Sequence, residues 1–186
     1  MESDWIVRAQ GGDHAAYEKL VRQHEEAVFR LAYLIVGDAD AAQDVAQDTF
    51  LRAYRQLDRF DPARPFRPWV LRIARNLARN QKRSFARYLV AARHWLANAS
   101  ESAASAESDE LTRLEAQALW TAIRRLEPQE QEIIYLRYFL ELSVQETAEV
   151  LDVAPGTVKS RLSRALRRLK GVVLHDFPLL VEGRSL

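Results

Sequence analysis

The chain has 186 residues, 48% of them hydrophobic, so it is long enough for one or two compact domains with filled cores. Its 27 basic and 26 acidic residues give a formal net charge of only +1, but the two signs are segregated along the chain. The longest nearly apolar run, residues 31–36, is far shorter than the roughly 20 residues that a membrane-spanning helix needs, which argues against membrane insertion.

Residue types that build metal centres and disulfides are scarce. The sequence contains no cysteine, and its four histidines are scattered without ligand spacing. The first five residues show no basic leader followed by an apolar stretch. We therefore expect a cytoplasmic protein with no metal, cofactor or secretion signal.

Helical periodicity covers the N-terminal half of the chain. Apolar residues recur at three- and four-residue steps in segments 15–37 and 39–57 and again from 68 to about 88, and turn-forming residues separate these segments. The second segment has an acidic and amide-bearing face. This face would repel DNA, so it indicates either a protein-binding surface or an ordinary solvated helix face.

A block of nine basic residues without any acidic residue runs from Arg64 to Arg93. Phe66 and Trp69 lie near its beginning, and rings among arginines suit unpaired bases that stack on them while phosphates meet guanidinium groups. Both rings could instead belong to the protein core, and the apolar residues that follow Trp69 at helical spacing favour the core for that ring. The block itself predicts a contact with an opened nucleic-acid strand.

A change of composition divides the chain. Residues 97–110 lack any bulky apolar side chain and are rich in Ser, Ala and Glu. Such a segment cannot bury a face, so it indicates a flexible linker, although its alanines leave partial helix formation open. We therefore expect an N-terminal domain of residues 1–96 and a C-terminal domain of residues 111–186.

Four further helices are predicted after the linker, in segments 111–126, 128–139, 143–151 and 155–170. The last two flank a short turn and predict a helix-turn-helix. Segment 155–170 carries six basic residues and no acidic one. A surface helix that serves only solubility mixes both signs, so this composition favours DNA binding. The predicted fold class is all-α, with two small helical bundles joined by the linker.

Five short motifs follow one another along the chain. Residues 42–50 read Ala-Gln-Asp-Val-Ala-Gln-Asp-Thr-Phe, and residues 69–76 read Trp-Val-Leu-Arg-Ile-Ala-Arg-Asn. Beyond the linker come Leu-Arg at 136–137, Glu-Thr-Ala at 146–148 and Gly-Thr-Val-Lys-Ser-Arg at 156–161. In this order, on both sides of a linker, they resemble the extracytoplasmic function (ECF) sigma factors, a group of bacterial RNA polymerase promoter-specificity subunits.

The resemblance implies a subunit that binds core RNA polymerase, directs it to promoters and initiates transcription without catalysing a reaction itself. The acidic helix would dock on the coiled coil of the largest polymerase subunit through Asp44, Gln47, Asp48 and Phe50. The flap of the second polymerase subunit is a further implied partner, and so is an anti-sigma factor that holds the protein inactive.

The DNA contacts that the resemblance implies fall into two sets. The −10 element would be recognised and melted by the loop 61–68 and the basic helix, through Arg64, Phe66, Arg67, Trp69, Arg72, Arg75, Asn76, Arg79, Asn80 and Arg83. The major groove of the −35 element would be contacted by Lys159, Ser160, Ser163 and Arg164, with phosphates bound by Arg161 and Arg167. Ala154 stands where a serine commonly caps the recognition helix of this family.

Two other classes of protein share part of this pattern or act on the same ligand. A helix-turn-helix regulator of the response-regulator output type shares the Thr-Val-Lys-Ser signature and binds duplex DNA as a dimer, but it has no use for the basic block. An enzyme acting on nucleic acid is disfavoured because the sequence shows no paired carboxylates beside a histidine, no Gly-rich phosphate loop and no metal-ligand spacing.

Residues 172–181 form an apolar tail beyond the predicted recognition helix, which we expect to pack on its own bundle or contact a partner.

Overall fold

The computed structural model describes residues 2–92 and 110–177, with side-chain environments for 2–84 and 116–177. All regular structure in these residues is helical, and it forms two helical regions, which confirms the predicted all-α class. The predicted linker lies outside the described residues except for Glu110, so its boundaries stay predictions. None of the described helices combines the length and apolarity needed to cross a bilayer.

The first bundle, N-terminal to the predicted linker, has four α-helices and one 3₁₀ turn. They are α1 (Glu2–Gln10), α2 (His14–Val36), α3 (Ala39–Gln56), the 3₁₀ turn (Leu57–Arg59) and α4 (Phe66–Ala92). Helix α1 is absent from the sequence prediction, because only Ile6 and Ala9 of its nine residues are buried and so short an apolar pattern shows no periodicity. Helix α4 begins two residues earlier than expected, at Phe66 rather than Pro68.

Local chemistry sets the helix boundaries in this bundle. The Asp13 carboxylate accepts a hydrogen bond of 3.1 Å from the Ala16 amide and caps α2, and Asp38 caps α3 through a 2.8 Å bond from the Ala41 amide. Gly37 ends α2 at φ 81°, a left-handed conformation that glycine adopts without the steric cost of a side chain. The two-residue connection makes α2 and α3 adjacent, and both pack against α4.

The second bundle, C-terminal to the predicted linker, contains α5 (Glu110–Arg124), α6 (Pro128–Ile134), a π-helical turn (Tyr135–Phe139), α7 (Val144–Leu151) and α8 (Pro155–Asp176). The predicted end of the recognition helix at Lys170 is wrong, since α8 continues for six more residues, to Asp176, and so enters the expected tail. Val172 continues the apolar stripe of the helix, and Arg125 forms an ion pair with Asp176 at its end. These contacts hold the last turns of α8 against α5.

The two bundles are packed against each other. Helix α4 lies along α7, and α2 contacts the π-helical turn. The buried residues on both sides form one continuous apolar cluster, which includes Leu71 of α4 and Val150 of α7. The sequence predicted two bundles on a tether and gave no sign of this contact.

Candidate nucleic-acid interface

The helix-turn-helix is built from strong local signals. The Ser143 hydroxyl accepts from the Glu146 amide at 3.1 Å, while the Glu146 carboxylate accepts from the Ser143 amide at 2.8 Å, so both ends of a capping box are formed. Helix α7 ends at Asp152, which takes a left-handed conformation at φ 58°. Pro155 then opens α8 at a position where its missing amide hydrogen costs nothing.

One face of α8 anchors the helix and the opposite face is exposed. Val158 and Ala165 are fully buried, with Leu162 packed against the same core. The exposed side carries five of the six residues predicted to contact the −35 element, namely Lys159, Ser160, Ser163, Arg164 and Arg167. The sixth, Arg161, is half-buried, and it lines a cavity between the two bundles together with Arg164. The structure therefore presents a cationic and hydroxyl-bearing surface of the kind that fits a major groove.

The first turn of α8 lacks a side-chain cap. Ala154 has the extended backbone of an N-cap residue, at φ −66° and ψ 147°, but its methyl group accepts no hydrogen bond. Only the Ala154 carbonyl takes part, and it accepts from the amides of Thr157 and Val158 at 2.9 and 3.2 Å. The amides at the start of the helix thus remain available to an anion or to water.

The residues predicted to contact the −10 element lie on α4 and the loop before it, and they divide into two groups. Exposed members are Arg64, Arg72, Asn76, Asn80 and Arg83. Partly buried members are Arg67, Arg75 and Arg79, whose guanidinium groups contact the second bundle. The sequence predicted Arg75 and Arg79 on one helix and Arg67 in the loop before it, but not the partners that they contact.

Phe66 corrects the prediction of two stacking rings. Its side chain is 0% exposed, because it packs between Phe60, Trp69 and the ring of His24. A ring in this position supports the fold and offers no face to a base. Trp69 is partly buried, with its ring centroid 4.6 Å from that of Phe60, so the core interpretation also accounts for most of its surface.

The loop 61–68 is fixed at its start by a residue far away in sequence. The side-chain amide of Gln10 donates to the carbonyl of Leu57 at 2.9 Å and to that of Phe60 at 2.8 Å. Both carbonyls lie just before the loop that begins at Asp61. Sequence reasoning missed Gln10, because no periodic pattern or motif marks a hydrogen bond across about fifty residues.

His24 is a buried histidine beneath this loop. Its side chain is 5% exposed, and Nε2 lies 2.8 Å from Oε1 of Glu2. A carboxylate only accepts hydrogen bonds, so the neutral ring donates from Nε2. Burial lowers the pKa of His24 below its ordinary value, and the Arg67 charge acts in the same direction, against the opposing effect of Glu2. The histidine is therefore a structural group that prefers to stay neutral.

Helix α3 presents the predicted polymerase-docking residues in two ways. Asp44, Gln47 and Asp48 are exposed on one face, whereas Phe50 is only 9% exposed and its carbonyl accepts a hydrogen bond from Tyr17. Phe50 lies in the floor of a groove of about 770 Å³ between α2 and α3. It contributes an apolar surface beside the acidic residues.

The same groove contains apolar residues that the sequence analysis did not select. Leu51 is 56% exposed and Tyr54 is 38% exposed, and both line the groove next to Phe50. Large apolar side chains clustered at the surface are typical of protein-binding sites. The α3 face thus combines acidic and apolar character, which suits a protein partner better than DNA.

No cluster of His, Cys, Asp or Glu among the described residues could hold a metal ion. The site is a set of binding surfaces: an acidic and apolar face on α3, a basic face on α4 and a basic face on α8. Together with the helix-turn-helix, these surfaces define a DNA-binding transcription factor that also contacts a protein.

Comparison with known proteins identifies the family. The family model for sigma-70 region 2 matches residues 20–88, and the model for sigma-70 region 4 matches residues 116–169. The ECF RNA polymerase sigma factor SigW of Bacillus subtilis is 33% identical over 173 residues, which cover 89% of this chain and 92% of SigW. The chain belongs to the ECF sigma factors.

Two further relatives agree with this assignment. The ECF RNA polymerase sigma factor BldN of Streptomyces coelicolor is 37% identical over 172 residues, which cover 92% of this chain and 65% of BldN. The solved structure of CnrH, in complex with the cytosolic domain of CnrY, superposes with a TM-score of 0.72 at 27% identity and covers 94% of this chain and 98% of that one. The findings support a sigma factor in transcription initiation and do not favour the dimeric response-regulator type.

Proposed function

We propose that this chain binds core RNA polymerase through the α3 face, carries it to promoters whose −35 element is bound by α8, and opens the −10 element along α4. The domains that do this are residues 1–96 and 111–186, joined by residues 97–110. The protein acts in the cytoplasm, where polymerase and DNA are, and catalyses no reaction of its own.

The observation that carries this proposal is the separation of charge between two exposed helical faces. The α3 face presents Asp44 and Asp48 to solvent, while the exposed side of α8 presents cations and hydroxyls without a carboxylate. An acidic face is repelled by phosphate and a basic face is attracted to it, so one chain can bind a protein and DNA at the same time.

The positions of the side chains along α8 suggest which of them contact bases and which contact phosphates. Lys159, Ser160, Ser163 and Arg164 lie near the beginning of the helix, where a recognition helix meets base edges. Arg167 lies one turn further on, where it can reach the phosphate backbone, and Arg161 lies toward the first bundle. These assignments are part of the proposal, and so are those for Arg64 in the loop before α4 and for Arg72, Asn76, Asn80 and Arg83 on α4.

We also propose a protein inhibitor of the anti-sigma type. CnrH, the solved structure described above, is held in a complex with the cytosolic domain of a second protein. The similarity covers nearly the whole of both chains, which supports a comparable partner for this chain. The flap of the second polymerase subunit is the partner we propose for the second bundle on the enzyme.

The test is co-elution with bacterial core RNA polymerase on a sizing column at moderate salt. We expect the wild-type chain to co-elute and the Asp44→Arg, Asp48→Arg variant to separate from the polymerase, because two cations replace the carboxylates of the docking face. The matched control reverses two exposed acidic residues elsewhere in the first bundle, Asp4→Arg and Asp58→Arg, and should co-elute. Failure of the wild-type chain to co-elute, with tight duplex binding by the free chain, would contradict the proposed function.

A further inference from the structure

A cavity of about 660 Å³ lies between the two bundles, and its lining is basic. Helix α4 of the first bundle forms one wall, and α6 and α8 of the second bundle form the others. Six cations line the cavity against three carboxylates, which leaves a formal charge of +3. The cations are Arg79, Lys82, Arg83, Arg161, Arg164 and Arg168, and the carboxylates are those of Glu127, Glu130 and Glu132.

The six cations form two rows, one on each bundle. Three lie on α4 at positions 79, 82 and 83, and three lie on α8 at positions 161, 164 and 168. Steps of three and four residues place side chains on one face of a helix. Because both rows line the same cavity, an anion inside it can be bound from two sides.

Carboxylates compensate only part of this charge. Nε of Arg79 lies 3.3 Å from Oε1 of Glu132, and Nη1 of Arg168 lies 3.1 Å from Oε1 of Glu130. The other four cations of the lining form no ion pair with any side chain that the structure describes; they are Lys82, Arg83, Arg161 and Arg164. Like charges on opposite walls repel each other, so the packed bundles enclose positive charge that an anion would neutralise.

DNA binding does not account for the whole lining. Lys82 and Arg168 belong to neither set of predicted DNA contacts. Arg161 is half-buried, unlike the cations on the exposed face of α8. Half of the six cations therefore call for another ligand.

The size of the cavity indicates which kind of anion fits. Small-molecule sites commonly measure about 300–1,000 Å³, and this cavity falls within that range. A single small ion would contact one row, whereas a chain of phosphate groups offers oxygens to both rows at once. Guanidinium groups bind phosphate oxygens in pairs, which suits the arginines of the lining. Ile35 and Pro128 add apolar surface that a sugar or base can cover.

We propose that this cavity binds a compact polyphosphate anion, either free polyphosphate or the phosphate chain of a nucleotide, between the cations of α4 and those of α8. The ligand supplies the negative charge that the carboxylates of the lining lack. Because it contacts both bundles, its binding stabilises their packing. The site needs neither polymerase nor promoter, so it is independent of the proposed function.

The test is a calorimetric titration of the free, full-length chain with sodium tripolyphosphate, without magnesium and at constant ionic strength. We expect saturable binding of one ligand per chain. The melting temperature should rise as ligand is added, because a ligand that binds the folded chain stabilises it. Sodium sulfate at the same ionic strength should bind far more weakly, and equal binding of sulfate would overturn the proposal.

Two further probes distinguish the sources of the phosphate chain. Adenosine triphosphate should also bind, and tighter binding than that of tripolyphosphate would assign the site to a nucleotide, whereas equal or weaker binding would assign it to free polyphosphate. Adenosine alone should not bind; if it bound as tightly as its triphosphate, the proposal would fail. A single-stranded oligothymidine that bound while neither phosphate probe did would show that the cations serve a nucleic-acid strand instead.

Variants from both rows locate the ligand. Lys82→Gln and Arg161→Gln each remove one unpaired cation of the lining, and each should lower the affinity for tripolyphosphate on the order of tenfold, as expected for the loss of a hydrogen bond from a charged group. The matched controls, Arg55→Gln and Arg167→Gln, remove the same charge at exposed positions outside the lining and should lower it far less.

Equal losses in all four variants would reduce the binding to general attraction between charges and overturn the proposal. A loss confined to Arg161→Gln would place the anion on the second bundle alone and would also overturn it. Lys82 is exposed, so its replacement leaves the fold intact, and the comparison of Lys82→Gln with Arg55→Gln decides the matter if Arg161→Gln fails to fold.

Discussion

The arginine side chains of this protein have the same charge and length, but they make different contacts because their surroundings differ. Arg164 is exposed on α8, with its Nε 3.4 Å from the carbonyl of Ser160, which directs the guanidinium group along the helix. Arg75 is 12% exposed and bound to a carboxylate. Arg22 forms only a surface pair with Glu18 in its own helix, worth a few tenths of a kcal/mol. Burial and partner, rather than residue type, decide the role.

The contrast between Arg164 and Arg167 yields a prediction about base recognition. Replacing Arg164 by Ala should cost about 1–3 kcal/mol at one position of the −35 element and little elsewhere, because a lost base contact is specific to its base pair. Replacing Arg167 by Ala should weaken binding of all sequences alike. The measurement is holoenzyme binding to a promoter library that is randomised in the −35 element. A uniform loss for Arg164→Ala would show that it contacts only phosphate.

His24 yields a prediction about pH. Its pKa is lowered in the folded chain from the ordinary value of 6.5, so the unfolded chain takes up a proton that the folded chain resists. Stability is therefore complete above about pH 6.5 and is lost as the pH falls below that value. Between about pH 7.5 and pH 5.5 the melting temperature should fall further for the wild-type chain than for His24→Gln.

The control for this experiment is His14→Gln, which removes an exposed histidine of the same helix. It should show the same pH dependence as the wild-type chain. If the melting temperature of His24→Gln fell just as steeply as that of the wild-type chain, the buried histidine would not be the group responsible.

Many residues of the candidate site could be predicted from the sequence. The residues that were misjudged or missed have in common that their environment is set by partners distant in the chain. The exposed cations of α8 and the acidic face of α3 lie on the outside of periodic helices, and periodicity alone places them there. The sequence left Phe66 open between a base-stacking ring and a core ring, because a ring among arginines fits both, and only the packing of Phe60 and His24 around it decides between them. Glu132 was not selected at all, since its two arginine partners lie more than fifty residues earlier.

The helices themselves follow their local signals closely. Residues Asp13, Asp38 and Ser143 cap three helices, as residue types with a short polar side chain should. Prediction failed where local signals were weak or misleading. Helix α1 is too short to show a period, and Gly171 resembles a helix end although α8 continues through it, because Val172 still packs on the core.

The uncapped start of α8 yields a prediction about stability. Ala154→Ser should stabilise the second bundle by about 1 kcal/mol, because a hydroxyl at this position accepts a hydrogen bond from an amide of the first turn. The measurement is the free energy of unfolding in urea. The control, Ala154→Val, adds a side chain without an acceptor and should bring no gain; an equal gain from both variants would rule out capping as the cause.

At the scale of the whole molecule, the continuous core joins two bundles that the sequence presents as separate. Helix α4 is the shared element, because its apolar side belongs to the first bundle and its basic side contacts α6 and α7. If one bundle unfolds, α4 loses its contacts with that bundle, and this destabilises the other bundle. The folded chain should therefore behave as one cooperative unit despite its two domains.

This unity yields a calorimetric prediction. The wild-type chain should unfold in a single transition at low salt, and the Arg67→Ala, Arg72→Ala variant should unfold over a broader range, because it loses two contacts between the bundles and keeps the apolar ones. The control, Arg22→Ala with Arg30→Ala, removes two exposed arginines of α2 and should keep one transition. Two resolved transitions in the wild-type chain would contradict the coupling.

The hydrogen bonds of Gln10 matter to anyone who wishes to excise the first domain for separate use. The sigma-70 region 2 match begins at residue 20, and a fragment cut there would lack all of α1. Such a fragment would lose the Gln10 amide that binds the carbonyls of Leu57 and Phe60. It would also lose the Glu2 carboxylate beside His24. A fragment that keeps the loop 61–68 in its folded setting has to begin at residue 2 or earlier, eighteen residues before the recognisable family signature.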